Sequence, residues 1–229
     1  MTRIAIITAV AAERDAIARG AGVVEHLQAG PFETIRGTVR ADADIAVVAA
    51  GVGPAAAASA AMAIALSGVD VLISAGVAGG FSGRADIGDI VVATVALAGD
   101  LGVQTAEGFL DLSKLGFGAS AYTVDVAASA DTAERLAAAG LATRRGPVLT
   151  VSSATGTDER ATELAERYDA VAEAMEGAGV GHVAALMGIP FVELRAVSNL
   201  VGRRDLTAWN LPVALATLER AMRTLFGRQ

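Results

Sequence analysis

The chain has 229 residues, a net charge of −7, no cysteine and two histidines. Without cysteine there are no disulfides, thiol nucleophiles, iron–sulfur clusters or cysteine-ligated zinc sites, and His26 and His182 alone do not make a multi-histidine metal site. The acidic balance argues against nucleic acid as the main partner, and the single lysine, Lys114, lies in a glycine-rich stretch ill-suited to Schiff-base chemistry.

Arg3–Thr8 reads as a short apolar strand and Ala11–Gly20 as a helix stopped by Gly20. Glu13 falls in the first turn of that helix, close to the strand's carboxyl end. It either complements the helix dipole or aims a carboxylate into a site. Strands are predicted over 32–40 and 44–50, the second continuous and central. Gly51-Val-Gly53-Pro54 then opens an alanine-rich helix to about Leu66. The Gly51-x-Gly53-x-x-Ala56 spacing does not follow the first strand, and Asp70 begins the next strand instead of ending it. It therefore reads as a tight turn with Pro54 at the helix start, not as a dinucleotide fingerprint.

Asp70–Ser74 is a buried strand emptying into Ala75-Gly76-Val77-Ala78-Gly79-Gly80, whose glycines imply close approach to a ligand or another strand. A strand begins at Asp89. The glycine-rich segment 99–120, with Phe109, Leu115 and Phe117, reads as a long loop: a lid, a partner contact or a mobile element. A helix near 131–139 and a strand over 144–151 precede Val151-Ser152-Ser153-Ala154-Thr155-Gly156-Thr157, a hydroxyl-rich stretch that is either a turn or part of a site. Asp158–Tyr168 is helical, Asp169–Glu176 a short strand ending on an acid, and Gly177–Met187 a small-residue helix carrying His182 as a packed or surface residue. Phe191, Val192, Leu194, Ala196 and Val197 form a buried strand with Arg195 inside it, and a charge there needs a partner. The strand is expected to stop at Ser198-Asn199, and Asp205 to cap a final helix, Leu206–Phe226.

Strands alternate with helices, and polar or glycine residues follow five of the strands. That pattern predicts one α/β domain over residues 1–229, with its site along one sheet edge. No apolar run reaches the roughly 18 residues of a membrane span, and the amino terminus enters a strand directly. A cytoplasmic, soluble protein with no membrane partner is expected. If it is an enzyme, its chemistry falls to carboxylates, arginines, amides and hydroxyls, which suit hydrolysis at a carbon that develops positive charge.

Five motifs in order carry a resemblance: Ile6-Ile7-Thr8-Ala9-Val10-Ala11-Ala12-Glu13, Gly51-Val52-Gly53, Ala75-Gly76-Val77-Ala78-Gly79-Gly80, Ala174-Met175-Glu176 and Arg195-Ala196-Val197-Ser198-Asn199. Together they resemble the nucleoside phosphorylase/nucleosidase family over nearly the whole chain, and its hydrolytic branch most closely. The resemblance implies a three-layer α/β/α sandwich with a central mixed, twisted sheet. It implies no metal or other cofactor, a small nucleoside as substrate, and a homodimer or higher homo-oligomer joined through apolar faces near the site. Glu13 would activate water, Met175 would pack on the ribose, and Glu176 would hold its 2′ and 3′ hydroxyls. Arg195 would organise water and carboxylate, and Asn199 would face the purine. Val77, Gly79, Ser198, Thr155, Gly156 and Thr157 complete the implied substrate-binding set.

Elementary chemistry agrees with those roles. Cleavage of an N-ribosidic bond passes through an oxocarbenium-like transition state. A carboxylate beside water acts there as general base and favours the developing cation. Arg195 offers a rigid donor fork able to pair Glu13 or Glu176 and keep it ionised.

Departures from the family pattern are informative. Methylthioadenosine-cleaving relatives carry an aspartate at the position of Asn199. An asparagine is no general acid, but it presents NH₂ to a 6-oxo group or to N7, which favours hypoxanthine as the leaving base. Its plainest alternative role is helix-entry capping. Ser198 to Asp205 with Ala208-Trp209, and Gly99 to Gly102 with Gly108-Phe109-Leu110, resemble the futalosine-cleaving members of the branch, which serve menaquinone synthesis. Arg203, Arg204 and the 99–118 segment are candidates for the carboxyphenyl end of that substrate. Ala174 stands where relatives carry a second acid, and Glu173, one strand step away, is expected to face elsewhere. Val77 replaces a serine, which weakens a phosphate site and favours water. Adenine-nucleoside hydrolysis, 6-oxopurine phosphorolysis and non-catalytic nucleoside binding are the competing readings.

Overall fold

The computed structural model describes residues 1–39 and 43–227. In chain order the elements are β1 (Thr2–Thr8), α1 (Ala11–Ala21), β2 (Glu25–Ala29), β3 (Phe32–Val39), β4 (Ala43–Ala49), α2 (Pro54–Ala65), β5 (Val71–Gly80) and β6 (Ile90–Ala98). There follow β7 (Gly102–Thr105), β8 (Gly108–Asp111), α3 (Leu112–Leu115), β9 (Ala121–Thr123), α4 (Val126–Ala138), β10 (Thr143–Thr150), α5 (Asp158–Tyr168) and β11 (Ala172–Ala174). The chain ends with α6 (Gly177–Met187), β12 (Phe191–Leu200) and α7 (Leu211–Phe226). Residue 40, the last of the strand expected over 32–40, lies outside the described residues.

The main sheet runs β11-β10-β6-β12-β5-β1-β4-β3-β2, with β9 paired to β6. Its pairings are mixed. β5 is parallel to β1 and β12, whereas β6 is antiparallel to β12 and β3 is antiparallel to β4. β11 also pairs antiparallel with β5, so β5, β12, β6, β10 and β11 close into a ring at one end of the sheet. Helices cover both faces, as the expected sandwich requires. Ala57, Ala61 and Ile64 of α2 join Val180, Val183 and Ala184 of α6 in one apolar cluster. Ile17 of α1, Leu136 of α4 and Leu218 and Met222 of α7 form the cluster on the opposite face. Among the described residues, no helix is long and apolar enough to cross a membrane.

Several boundaries differ from those read off the sequence, each for a local reason. Helix α1 passes through Gly20 and closes at Gly22, which takes the left-handed conformation at φ 75°. Gly20 is needed for packing instead: a Cβ there would lie 2.2 Å from the Glu219 carbonyl oxygen of α7. The glycines after Ser74 form no loop, because β5 runs straight through them to Gly80. Segment 99–120 contains the β7–β8 hairpin and the short α3, which Asp111 caps through the Ser113 and Lys114 N–H groups. Arg167 of α5 sits 5.2 Å over the Phe109 ring and ties the hairpin to the body.

The strand expected over 169–176 shrinks to β11, and Glu176 becomes the N-cap residue of α6. Asp205 caps only a 3-10 turn, Leu206–Ala208. The last helix starts at Leu211, with the Asn210 side chain accepting from the Val213 N–H and Pro212 in its first turn. His182 is an exposed residue of α6 whose ring meets Tyr122 edge-on at 5.6 Å.

Helices α2 and α6 touch through small residues. A Cβ on Gly179 would come within 2.2 Å of the Pro54 carbonyl oxygen, a backbone atom without freedom to withdraw. Gly179→Ala is expected to cost about 1–3 kcal/mol of stability, measured by denaturant unfolding. An unchanged unfolding midpoint would contradict this packing.

Candidate active site

The carboxyl ends of β1, β5 and β12, together with β11, meet around a cavity of about 320 Å³. Glu13, Val77, Gly79, Met175, Glu176 and Asn199 all line it, and Ser198 and Thr155 contribute as well. Gly156 and Thr157 do not. Both are exposed: the Gly156 carbonyl accepts from the Arg204 N–H at 3.3 Å, and Thr157 caps α5 through the Arg160 N–H. Arg195 is fully buried behind the cavity wall instead of facing it. Residues 99–118 contribute no lining group, whereas Arg203, Arg204 and Trp209 do.

Glu13 sits where β1 turns into α1. Its Oε2 accepts from the Ala9 N–H at 2.9 Å and the Val10 N–H at 3.1 Å, satisfying donors that the first turn leaves free. Its Oε1 accepts from the Val77 N–H of β5 at 2.8 Å. Burial pushes its pKa up. The Val77 and Val10 N–H groups and the Arg195 charge pull it down, Glu176 adds to the rise, and the balance stays above the ordinary carboxylate value. The result is an immobilised carboxylate with enhanced basicity at the cavity wall.

Arg195 lies on β12 directly opposite Gly76 of β5. Its Nε donates to Glu193 Oε1 at 3.0 Å, Nη1 to Glu176 Oε2 at 3.2 Å, and Nη2 to Ser74 Oγ at 2.8 Å. Of the two partners expected from the sequence it takes Glu176. Glu13 feels its charge and is held by backbone N–H groups. Burial works against the guanidinium charge, but Glu193, Glu176 and Glu13 outweigh it and hold its pKa above the usual value. Glu176 also accepts from the Gly53 N–H at 3.2 Å. The Gly51-Val52-Gly53 turn therefore does more than start α2.

Two glycines make room for this cluster. A Cβ on Gly76 would sit 2.6 Å from Glu13 Oε1 and 3.0 Å from Arg195 Nη1. A Cβ on Gly177 would sit 2.0 Å from Glu193 Oε1.

The far end of the cavity is amide-lined. Ser198 Oγ lies 2.8 Å from Asn199 Oδ1, and Asn199 Nδ2 donates to the Leu200 carbonyl at 3.0 Å. That arrangement leaves one amide N–H of Asn199 for a ligand. The register of β12 against β5 shifts between Val197 and Asn199, which puts Asn199, not Ser198, opposite Gly79.

Sequence reasoning missed two acids. Glu193 is fully buried with Oε2 lacking any partner. Its signal was the i, i+2 spacing to Arg195, which puts both on one face of a strand. Glu173, expected to face elsewhere, lines the same cavity and is buried, with Oε1 accepting from the Thr155 N–H at 2.8 Å and Oε2 from Thr155 Oγ1 at 2.5 Å. The one-step argument failed because β11 is only three residues long and faces Gly79, which has no side chain to fill the space. Among the described residues, no three His, Asp or Glu side chains are arranged to hold a metal ion.

A sequence profile described as the phosphorylase superfamily matches residues 3–226. The chain belongs to this superfamily. It is 47% identical over 222 residues to a futalosine hydrolase of Acidothermus cellulolyticus, covering 96% of this chain and 88% of the relative. It is 46% identical over 224 residues to a futalosine hydrolase of Streptomyces coelicolor, covering 95% and 92%. Among solved structures, the native futalosine hydrolase of Helicobacter pylori superposes with a TM-score of 0.87 at 21% identity, covering 98% of this chain and 97% of that one. At that identity the superposition speaks for the shared fold.

Burial raises the pKa of Glu193 to about 7, against 4.5 for an ordinary glutamate, with Arg195 opposing and Glu176 adding to the shift. The folded protein therefore retains a proton that the unfolded chain releases above pH 4.5. Stability contributed by this proton falls as pH rises toward 7. Glu193→Gln mimics the protonated form, so the variant is expected to lose that fall and to gain on the order of 2 kcal/mol over the parent at pH 8. Urea unfolding at pH 5 and pH 8 measures it, and parallel pH dependences of the two proteins would refute it.

Proposed function

We propose that this protein hydrolyses the N-ribosidic bond of futalosine, releasing hypoxanthine and dehypoxanthine futalosine. The observation that carries the reading is 46–47% identity to two futalosine hydrolases along nearly the whole chain, joined to a site with a basic carboxylate at one end and an amide at the other. The activity carries with it a step in menaquinone biosynthesis by the futalosine pathway, and a cytoplasmic place of action is part of this proposal.

In this mechanism Glu176 holds the ribose hydroxyls and Met175 packs against the sugar. As the C1′–N9 bond breaks, its electron pair passes to the base and positive charge spreads over C1′ and the ring oxygen. Glu13 removes a proton from water as the water oxygen bonds to C1′. The negative charge on Glu13 favours the cation, and Arg195 Nη1 donates to Glu176 Oε2 and holds it in place. Asn199 donates its free N–H to O6 or N7 of the departing hypoxanthine. The proton lost by water balances the one the base gains. Val10, Val52, Leu200 and Leu211 are exposed apolar residues beside the cavity, and they support association with a second copy of the chain through this rim. Light scattering at micromolar concentration tests that assembly.

Base release from futalosine, inosine and methylthioadenosine, each with and without phosphate, tests the reaction. Phosphate-independent hypoxanthine from futalosine is the expected result. Adenine from methylthioadenosine would favour the adenine-nucleoside reading, phosphate dependence would make the protein a phosphorylase, and binding without release would make it a nucleoside-binding protein.

Glu13→Gln is expected to lower kcat by about 10²–10⁴-fold while substrate binding persists. For the parent enzyme kcat/KM should fall on the acid side at a pH above the ordinary carboxylate range, because the Glu13 pKa is raised and the base must be ionised. Unchanged turnover in the variant would remove Glu13 as the base.

Asn199→Asp places an anion where O6 of the base is bound. The ratio of futalosine to methylthioadenosine hydrolysis is expected to drop by at least about tenfold, an effect of the size of one hydrogen bond to a charged group. An unchanged ratio would mean that Asn199 does not read the base.

A further inference from the structure

Arg195 has two carboxylates beside it at the cavity wall, yet it bonds to only one of them. Its Nη1 donates to Glu176 Oε2 at 3.2 Å. Glu13 lies on the other side. A Cβ on Gly76 would stand 2.6 Å from Glu13 Oε1 and 3.0 Å from Arg195 Nη1, so these two atoms face each other across the room of one absent methyl group. Among the described residues, the ion pairs of Arg195 run to Glu176 and Glu193 and not to Glu13. A guanidinium and a carboxylate this close attract each other strongly in a dry interior. Something holds the guanidinium back.

The hold comes from one row of the sheet. Glu193 precedes Arg195 by two residues on β12, so both side chains stand on the same face. Ser74 of β5 is the register partner of Glu193, and both side chains reach the same guanidinium. Glu193 Oε1 accepts from Nε at 3.0 Å and Ser74 Oγ accepts from Nη2 at 2.8 Å. Two anchors on different nitrogens of a rigid planar group fix its orientation as well as its place, and they leave Nη1 for Glu176. The anchors are themselves fixed. Both residues are fully buried, and the Glu193 carboxylate lies so close to Gly177, at the start of α6, that a Cβ there would collide with both of its oxygens. Neither Glu193 nor Ser74 lines the cavity.

We infer that Glu193, with Ser74 beside it, is a positioning residue that keeps the Arg195 guanidinium on Glu176 and away from Glu13, leaving Glu13 free to act as the base. A carboxylate bonded to arginine binds a proton less readily and gives a lone pair to the bond. Either loss weakens a general base. The charged groups acting on Glu13 are Arg195 of β12 and Glu176 at the start of α6, and the N–H groups of Ala9, Val10 and Val77 complete its polar surroundings. Of the two charges only that of Arg195 lowers its proton affinity, so the distance to the guanidinium sets how basic Glu13 is. Holding Nε needs an acceptor oxygen and no charge. Glu193 Oε2 has no partner, so a proton there leaves Oε1 free to accept.

The inference rests on the hydrolytic reading of the site, but its first readout needs no turnover. The Glu13 carboxyl is titrated by carbon-13 NMR of protein labelled at the glutamate Cδ, with its resonance assigned through Glu13→Gln. The parent is compared with Glu193→Met, Glu193→Gln and Ser74→Ala. Glu193→Met removes the acceptor at similar volume. Ser74→Ala removes the second anchor without changing any charge, and it carries the test should Glu193→Met not fold. Both are expected to lower the Glu13 titration midpoint by about one pH unit and kcat on futalosine by at least about tenfold, with KM within about threefold. Glu193→Gln keeps an acceptor for Nε and should recover the parent midpoint and most of kcat. An unmoved Glu13 midpoint in the folded variants overturns the assignment. A Glu193→Gln protein as impaired as Glu193→Met overturns it too, because charge and not the hydrogen bond would then be at work. The expected midpoints in a protein that does not hydrolyse futalosine would refute the reaction and support the positioning role. Hydrolysis with unmoved midpoints would do the reverse.

Discussion

One buried guanidinium organises the reacting half of this molecule. Arg195 is the largest fully buried side chain, and its three nitrogens reach Glu193, Glu176 and Ser74. Three carboxylates lie in its field, and the dry interior supports that concentration of charge only because Glu193 keeps its proton well above the usual range. A buried charge stripped of its partner is strongly destabilising, by about 3–5 kcal/mol. The cluster is thus a commitment of the fold as well as of the site. Its geometry depends on atoms that are missing: Gly76 and Gly177 leave the space that the carboxylates occupy.

The same strand serves both ends of the cavity. β5 meets Glu13 and Arg195 at Gly76, gives its Val77 N–H to Glu13, and at Gly79 pairs with Glu173 on one side and Asn199 on the other, with Val201 packed over it. Any side chain at Gly76 or Gly79 would fill the space that its neighbours use. The ring closure of β11 onto β5 is what brings Glu173 there at all. In the proposed reaction, charge for bond cleavage and polarity for base recognition are separated along one element, and the rigid sheet holds that separation constant.

Much of the scaffold was legible in the chain. The buried strand residues 45–49 are a continuous apolar run, 191–197 is apolar except for Glu193 and Arg195, and α2 opens on proline after glycine, so local chemistry decides their type. Boundaries were harder where packing overrode a local signal. Gly20 looks like a helix stop and is a contact with α7, and the glycines of β5 look like a loop and are strand. Asp205 looks like the cap of the last helix, but a 3-10 turn intervenes before Asn210 caps it. In each case the residue's conformational freedom was visible, but the neighbour that used its small size was remote in sequence.

By itself the sequence determined the α/β class, the superfamily, and the ordered motifs that carry Glu13, Met175, Glu176, Arg195 and Asn199. These rest on local periodicity and short spacings, which a linear chain displays. Only the tertiary structure decided that Glu193 belongs to Arg195, that Gly53 and Val77 supply N–H groups to the carboxylates, and that Gly156 and Thr157 stay outside the cavity. Only the structure brought Glu173 across from Asn199, through a three-residue strand and a register shift. The physical reason is that burial and pairing are properties of neighbours in space. A carboxylate's role follows from the strand opposite and the side chain absent there, and neither is written next to it in the chain.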